Sequence, residues 1–132
     1  MRISRSTGYA VLAVGYIAQN QKQGIILSQS ISKKYDIPLE YLLKILQQLV
    51  RANILRSKRG PRGGFSLARP AKKITLLQVV EAVEGPMISY SNLVEQAHGG
   101  KFAVKAEQVY EKAIAQARTV FEKVKITDLL EG

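Results

Sequence analysis

The sequence predicts a mainly α-helical chain with one small β-hairpin, ending in a long helix. Three observations carry that expectation. Apolar residues recur at helical spacing in several segments of the first half. A glycine-rich run at 54–67 separates two short alternating stretches, as strands and their turn require. From Phe102 to Val124 a single apolar stripe persists without a breaker.

The first helix is expected from Ser4 to about Gln21. Ser4, Ser6 and Thr7 supply candidate N-caps, whose oxygens accept from backbone N–H groups that have no intrahelical partner. Tyr9, Leu12, Ala13, Tyr16 and Ile17 follow at helical spacing, and Gly24 breaks the pattern. Leu27, Ile31 and Tyr35 form the stripe of a short second helix, capped by Ser28 and ended by Asp36. Pro38 stands in the first turn of a third helix, where a missing N–H costs nothing. Leu42, Ile45, Leu46 and Leu49 face its core side, and Glu40, Tyr41, Leu43, Lys44, Gln47 and Gln48 face away. The run Ile54–Leu67 then reads as a hairpin with a loop around Gly60, Pro61, Gly63 and Gly64. A phosphate-cradling loop would need Gly-x4-Gly-Lys-Ser/Thr followed by a helix, and neither is present. Thr75 caps a fourth helix through Leu76, Val79, Val80, Ala82 and Val83, closed by Gly85-Pro86. In the last long helix, Ala106, Val109, Tyr110, Ala113, Ala117, Val120 and Val124 line one face. At about 1.5 Å per residue that helix is about 30 Å long, more than a small domain covers alone. Two readings follow: the alanine-centred stripe joins two copies, or it packs back on its own domain.

Charge narrows the function. Of 132 residues, 20 are Lys or Arg and 10 are Asp or Glu, a net of +10. Residues 1–73 hold 14 basic side chains against Asp36 and Glu40, whereas residues 74–132 hold 6 against 8 acids. Such a division suits a polyanion on one surface and something else on another. With no cysteine, the chain alone builds no disulfide, thiol nucleophile or cysteine-ligated metal centre. His98, the single histidine, is either an ordinary surface residue or a lone metal or haem ligand. No run approaches the roughly 20 apolar residues of a membrane span. The apolar stretch 9–18 is followed by Gln19-Asn20-Gln21-Lys22, with no signal-cleavage pattern, so a cytoplasmic protein without membrane association is expected. Catalysis is not expected. The close carboxylate pairs Glu81/Glu84 and Glu107/Glu111 stand at helical spacing with no nucleophile or base beside them.

Two helices, a turn, a third helix and a basic hairpin, in that order, describe a winged helix-turn-helix. Its third helix enters the major groove and its wing reaches the backbone or the minor groove. The residues then resemble the Rrf2 family of bacterial transcriptional regulators. The resemblance lies in Met1-Arg-Ile-Ser4 with Tyr9-Ala10, in Ile37-Pro-Leu-Glu-Tyr-Leu42 with Leu46 and Leu49, and in the wing run Arg59-Gly-Pro-Arg-Gly-Gly-Phe-Ser-Leu67. It extends through Ile74-Thr-Leu and Val79–Pro86. It implies a DNA-binding domain over 1–86, a sensor loop over 87–101 and a dimerisation helix and tail over 102–132. It also implies sequence-specific binding to an inverted-repeat operator as a homodimer, with repression as the expected outcome and a small molecule or protein as effector. Many members hold an iron–sulfur cluster on three cysteines of that loop. None is present here, so this chain is similar to the cluster-free branch and no cofactor is expected.

Within this frame Tyr41 and Lys44 are candidates for base or phosphate contacts, and Glu40 for a cytosine amino group. Leu43 either meets a thymine methyl or packs on the first helix, and Tyr41 has Tyr35 as an alternative partner. Arg59 matches the family arginine that enters the minor groove. Arg2, Ser28, Lys58 and Arg62 are assigned to backbone positioning, with Pro38 and Pro61 shaping the helix start and the wing. A general nucleic-acid-binding protein, or a regulator controlled mainly through a protein partner, is the alternative.

Overall fold

A computed structural model describes residues 3–58, 64–88 and 92–131. Helix α1 spans Arg5–Gln19, and Ser4 caps it by accepting from Thr7 N–H. A 3-10 turn at Gln21–Gln23 and Gly24 lead to α2, Ser28–Tyr35. Asp36 ends α2 in the left-handed region at φ 54°. Helix α3 spans Leu39–Arg51 with Pro38 as its N-cap, one position earlier than the first-turn placement expected from sequence. Strands β1 (Leu55–Lys58) and β2 (Gly64–Leu67) pair antiparallel, with Leu55 opposite Leu67 and Lys58 opposite Gly64. Helix α4, Leu76–Glu84, opens with a capping box between Thr75 and Gln78. A short α5 (Leu93–Gln96), the 23-residue α6 (Lys101–Lys123) and a final turn α7 (Ile126–Leu129) complete the order.

One core holds these elements. Ala10, Ala13, Val14 and Ile17 of α1 meet Ile31 of α2 and the Leu42, Ile45, Leu46, Leu49 row of α3. Ile54, Leu55 and Phe65 bring the hairpin into the same cluster. The apolar spacing of α3 therefore decides which face is left outside.

Sequence spacing alone misassigns the start of α2. Leu27, not Ser28, occupies the N-cap and makes no side-chain cap bond, while Ser28 is buried in the first turn. Leu27 is 39% exposed, so only Ile31 and the half-buried Tyr35 of the expected stripe face inward. The reason lies in the preceding segment. Ile26 exchanges both backbone hydrogen bonds with Phe65 of β2 at 2.8 Å, adding a one-residue bridge to the hairpin. That pairing buries Ile26 and turns Leu27 outward.

A second correction concerns the end of the chain, expected as a tail beyond the long helix. Residues 125–131 instead return to the core. Ile126 is 1% exposed, its N–H donates to Ile74 C=O at 2.9 Å, and Leu76 N–H donates to Val124 C=O at 2.8 Å. Gln19 and the Glu131 backbone exchange two further bonds of 3.0 Å.

Helix α6 packs through one face and leaves another bare. Ala103 is buried, and Glu107, Ile114, Ala117, Arg118 and Phe121 are half-buried toward the chain's own helices α4 and α5. Of the expected stripe, Val109, Tyr110, Ala113 and Val120 are exposed, while Ala106, Ala117 and Val124 are half-buried. The self-packing face thus lies beside the alanine stripe and leaves Val109, Tyr110, Ala113 and Val120 of it uncovered.

Candidate nucleic-acid interface

The exposed side of α3 is set by its buried side. With Leu42, Ile45, Leu46 and Leu49 at 2% exposure or less, the helix cannot rotate. Glu40, Tyr41, Leu43, Lys44 and Gln47 are therefore held toward solvent. Leu43 is 37% exposed, so it is not buried against α1. Tyr41 does not meet Tyr35. Its ring stands edge-on to Tyr9 of α1, with centroids 5.7 Å apart at 87°, and its hydroxyl shares a hydrogen bond with Ser6 Oγ. Tyr35 pairs instead with Tyr16, at 6.2 Å. Tyr41 and Lys44 share a shallow surface groove with Ser6, Gln47, Gln48 and Arg51. The two glutamines and Arg51 were legible as a polar face but not singled out. Their signal is that 44, 47, 48 and 51 continue one helical surface, and glutamine is the side chain that pairs bidentately with adenine.

The wing lies beside this helix. Arg56, Ser57 and Lys58 of β1 are exposed, while Phe65 of β2 is buried and seated on Ile26. Arg2, Arg59, Pro61 and Arg62 lie outside the described residues. Lys33, Lys34, Lys44, Arg51, Arg56 and Lys58 are all exposed, and none is in an ion pair among the described residues. These six cations outnumber the exposed carboxylates Asp36 and Glu40 of the same region, leaving a net positive field of the kind that attracts phosphates. Pro38 is exposed at the head of α3 and Ser28 heads α2, where its own N–H has no intrahelical acceptor.

Three of the four paired carboxylates hold structure together. Glu84 accepts from Ser4 Oγ and, at 2.6 Å, from Thr7 Oγ1. Glu81 accepts from Met87 N–H at 2.8 Å and faces Arg118 at 3.7 Å. Glu107 accepts from Val94 N–H at 3.1 Å, holding α5 on α6. His98 is exposed on a turn at φ 57°.

Residues 3–132 match the Rrf2 family model, described as an iron-dependent transcriptional regulator. The chain belongs to the Rrf2 family. It is 30% identical, over its whole length and 88% of the relative's, to the HTH-type transcriptional regulator IscR of Cereibacter sphaeroides. The solved CymR, the global cysteine regulator of B. subtilis, superposes with a TM-score of 0.83 at 21% identity, covering 98% of this chain and 95% of that one. CymR of Staphylococcus aureus superposes at 0.76 with 25% identity, covering 98% of each. The chain is accordingly a DNA-binding transcriptional regulator, and the relatives are regulators, not enzymes.

The iron named in the family description meets no suitable donor set here. The loop from 87 to 101 has no cysteine and one histidine, whereas a cluster takes several thiolates. Among the described residues no group of three His, Cys, Asp or Glu stands close enough to hold a metal. Among the same residues no helix is long and apolar enough to cross a membrane.

Proposed function

We propose that this Rrf2 protein is a cytoplasmic, cluster-free repressor that binds an inverted-repeat operator as a homodimer. The observation that carries the reading is the pairing of two uncovered surfaces on one rigid core: the basic α3 face with its wing, and the apolar stripe of α6. Helix α6 is 23 residues, about 34 Å at ~1.5 Å per residue. Two such stripes laid together bury Val109, Tyr110, Ala113 and Val120 and give the two-fold axis that a palindromic site mirrors. A dimer seated over a promoter blocks polymerase, which is why repression is the expected sign.

In this reading Glu40, Leu43 and Lys44 address base edges, with Tyr41 on the same face. Arg59 enters the minor groove, and Arg2, Lys58, Arg62 and the Ser28 N–H hold phosphates, with Pro38 and Pro61 shaping the two approaches. The loop between α4 and α6 receives the effector, a small molecule or a partner protein.

Selection of bound duplexes from a random pool tests the proposal. The expected result is an enriched palindrome, bound roughly a thousandfold or more tighter than scrambled DNA at one fixed salt concentration. A pool that stays random would identify a general nucleic-acid binder instead. Incubation with iron and sulfide should leave the purified protein colourless and its operator affinity unchanged.

A further inference from the structure

The first turn of α1 carries three hydroxyl side chains, Ser4, Ser6 and Thr7, and they are used in two directions. Ser4 Oγ accepts from Thr7 N–H at 3.2 Å, and both Ser4 and Thr7 hydroxyls donate to Glu84 Oε1, Thr7 at 2.6 Å. Thr7 is 1% exposed, so its hydroxyl has little access to water if that acceptor moves. Glu84 is the last residue of α4, directly before Gly85 at φ 83° and the loop that leads to α6. In the other direction, Ser6 shares its hydrogen bond with the Tyr41 hydroxyl, and Tyr9 braces the Tyr41 ring. One turn back on α4, Glu81 holds the loop through Met87 N–H and α6 through Arg118. Helix α4 therefore touches the loop and α6 through one carboxylate, and α1 through the next.

We propose that Glu84 and the Ser6–Tyr41 hydroxyl pair are positioning residues for DNA reading, locking the first turn of α1 between the end of α4 and the start of α3. The setting of α4 then fixes the pose of the α3 surface on the duplex. This deepens the DNA-binding reading and rests on it. The alternative for Tyr41 is direct contact with DNA through its hydroxyl. The two differ in what Ser6 should do. As a brace, Ser6 matters as much as Tyr41; as a bystander to a direct contact, it does not matter at all. Neither hydroxyl lies in the buried Leu42–Leu49 row, so their removal leaves the core intact.

The test uses the full-length protein and the duplex that wild type enriches from a random pool. Ser6→Ala, Tyr41→Phe, the double variant and Glu84→Ala are titrated against that duplex and a scrambled copy at one salt concentration. Each single variant should lower the ratio of specific to non-specific affinity on the order of five- to tenfold. The Ser6/Tyr41 double should lose no more than either single change, since both break one bond. Ser6→Ala should bind scrambled DNA as wild type does, and Ser6→Thr, which restores a hydroxyl, should recover specific binding. If Ser6→Ala reads the operator as well as wild type while Tyr41→Phe does not, Tyr41 contacts DNA directly and the brace is wrong. Additive losses in the double variant overturn it equally, as does a Glu84→Ala protein with unchanged specificity. A wild-type protein that enriches no sequence fails the regulator reading itself, a result seen before any variant is made.

Discussion

At Gly64 the wing comes against the segment before α2. A Cβ built there would lie 2.5 Å from Ile25 Cγ2 and 2.6 Å from the Ile26 carbonyl oxygen. The backbone oxygen cannot retreat without breaking the Ile26–Phe65 pairing. Gly64→Ala should therefore destabilise the protein by about 1–3 kcal/mol in thermal or denaturant unfolding, the usual cost of overpacking. Sequence marks this glycine as part of a turn. The demand on it comes instead from a neighbouring strand bridge, which no local pattern announces. Charge acts at the same scale. Lys58→Ala, which removes a proposed phosphate contact, should weaken binding to all sequences alike and lower the salt slope by about one unit. Arg59→Ala should cost about 1–3 kcal/mol on the operator and flatten its preference for A·T under the wing, whereas Arg62→Ala should weaken both duplexes equally. Equal losses on A·T and G·C copies for Arg59→Ala would reduce it to a phosphate clamp.

Among the elements, α3 was the most legible. Its apolar residues repeat at i, i+3, i+4 and i+7, and an amphipathic helix with so narrow a stripe has one way to sit on a core. Thr75 was legible for a similar reason, since a cap and its N3 partner are three residues apart. The return of the chain after α6 was not. Ile126 is one apolar residue between Lys125 and Thr127, too short a signal for periodicity, yet it is buried against Ile74 and α1. Ile126→Ala should lower stability by about 2–5 kcal/mol, as for other large-to-small core changes. Melting of the whole domain, observed by circular dichroism, would show it; a variant as stable as wild type would make the C-terminal turn a dispensable appendage.

For the molecule as a whole, the predicted event is association. Replacing Val109 and Ala113 with glutamate places charge in the uncovered stripe of α6, at positions exposed to solvent in one chain. The folded monomer should tolerate the change, while a close-packed seam between two copies should not, because it would bury unpaired like charges. Sedimentation at micromolar concentration should show wild-type dimers and variant monomers, and operator affinity should fall with the lost half-site. A double variant that still sediments as a dimer would place the interface elsewhere.

What the sequence determined by itself was whatever depends on neighbours within a turn or two: the longer helices, the Ser4 and Thr75 caps, the hairpin, the inward row of α3 and the basic half. Tertiary structure decided the pairings. Tyr41 faces Tyr9 instead of Tyr35, Ile26 joins the hairpin, and the α4 carboxylates tie down α1, the loop and α6. Thr7 and Glu84 are 77 positions apart along the chain, and Gln19 and Glu131 are 112 apart. Residue spacing encodes which face of a segment is apolar, because that follows from 3.6 residues per turn. It does not encode which polar groups then meet, because that requires every helix to be packed first.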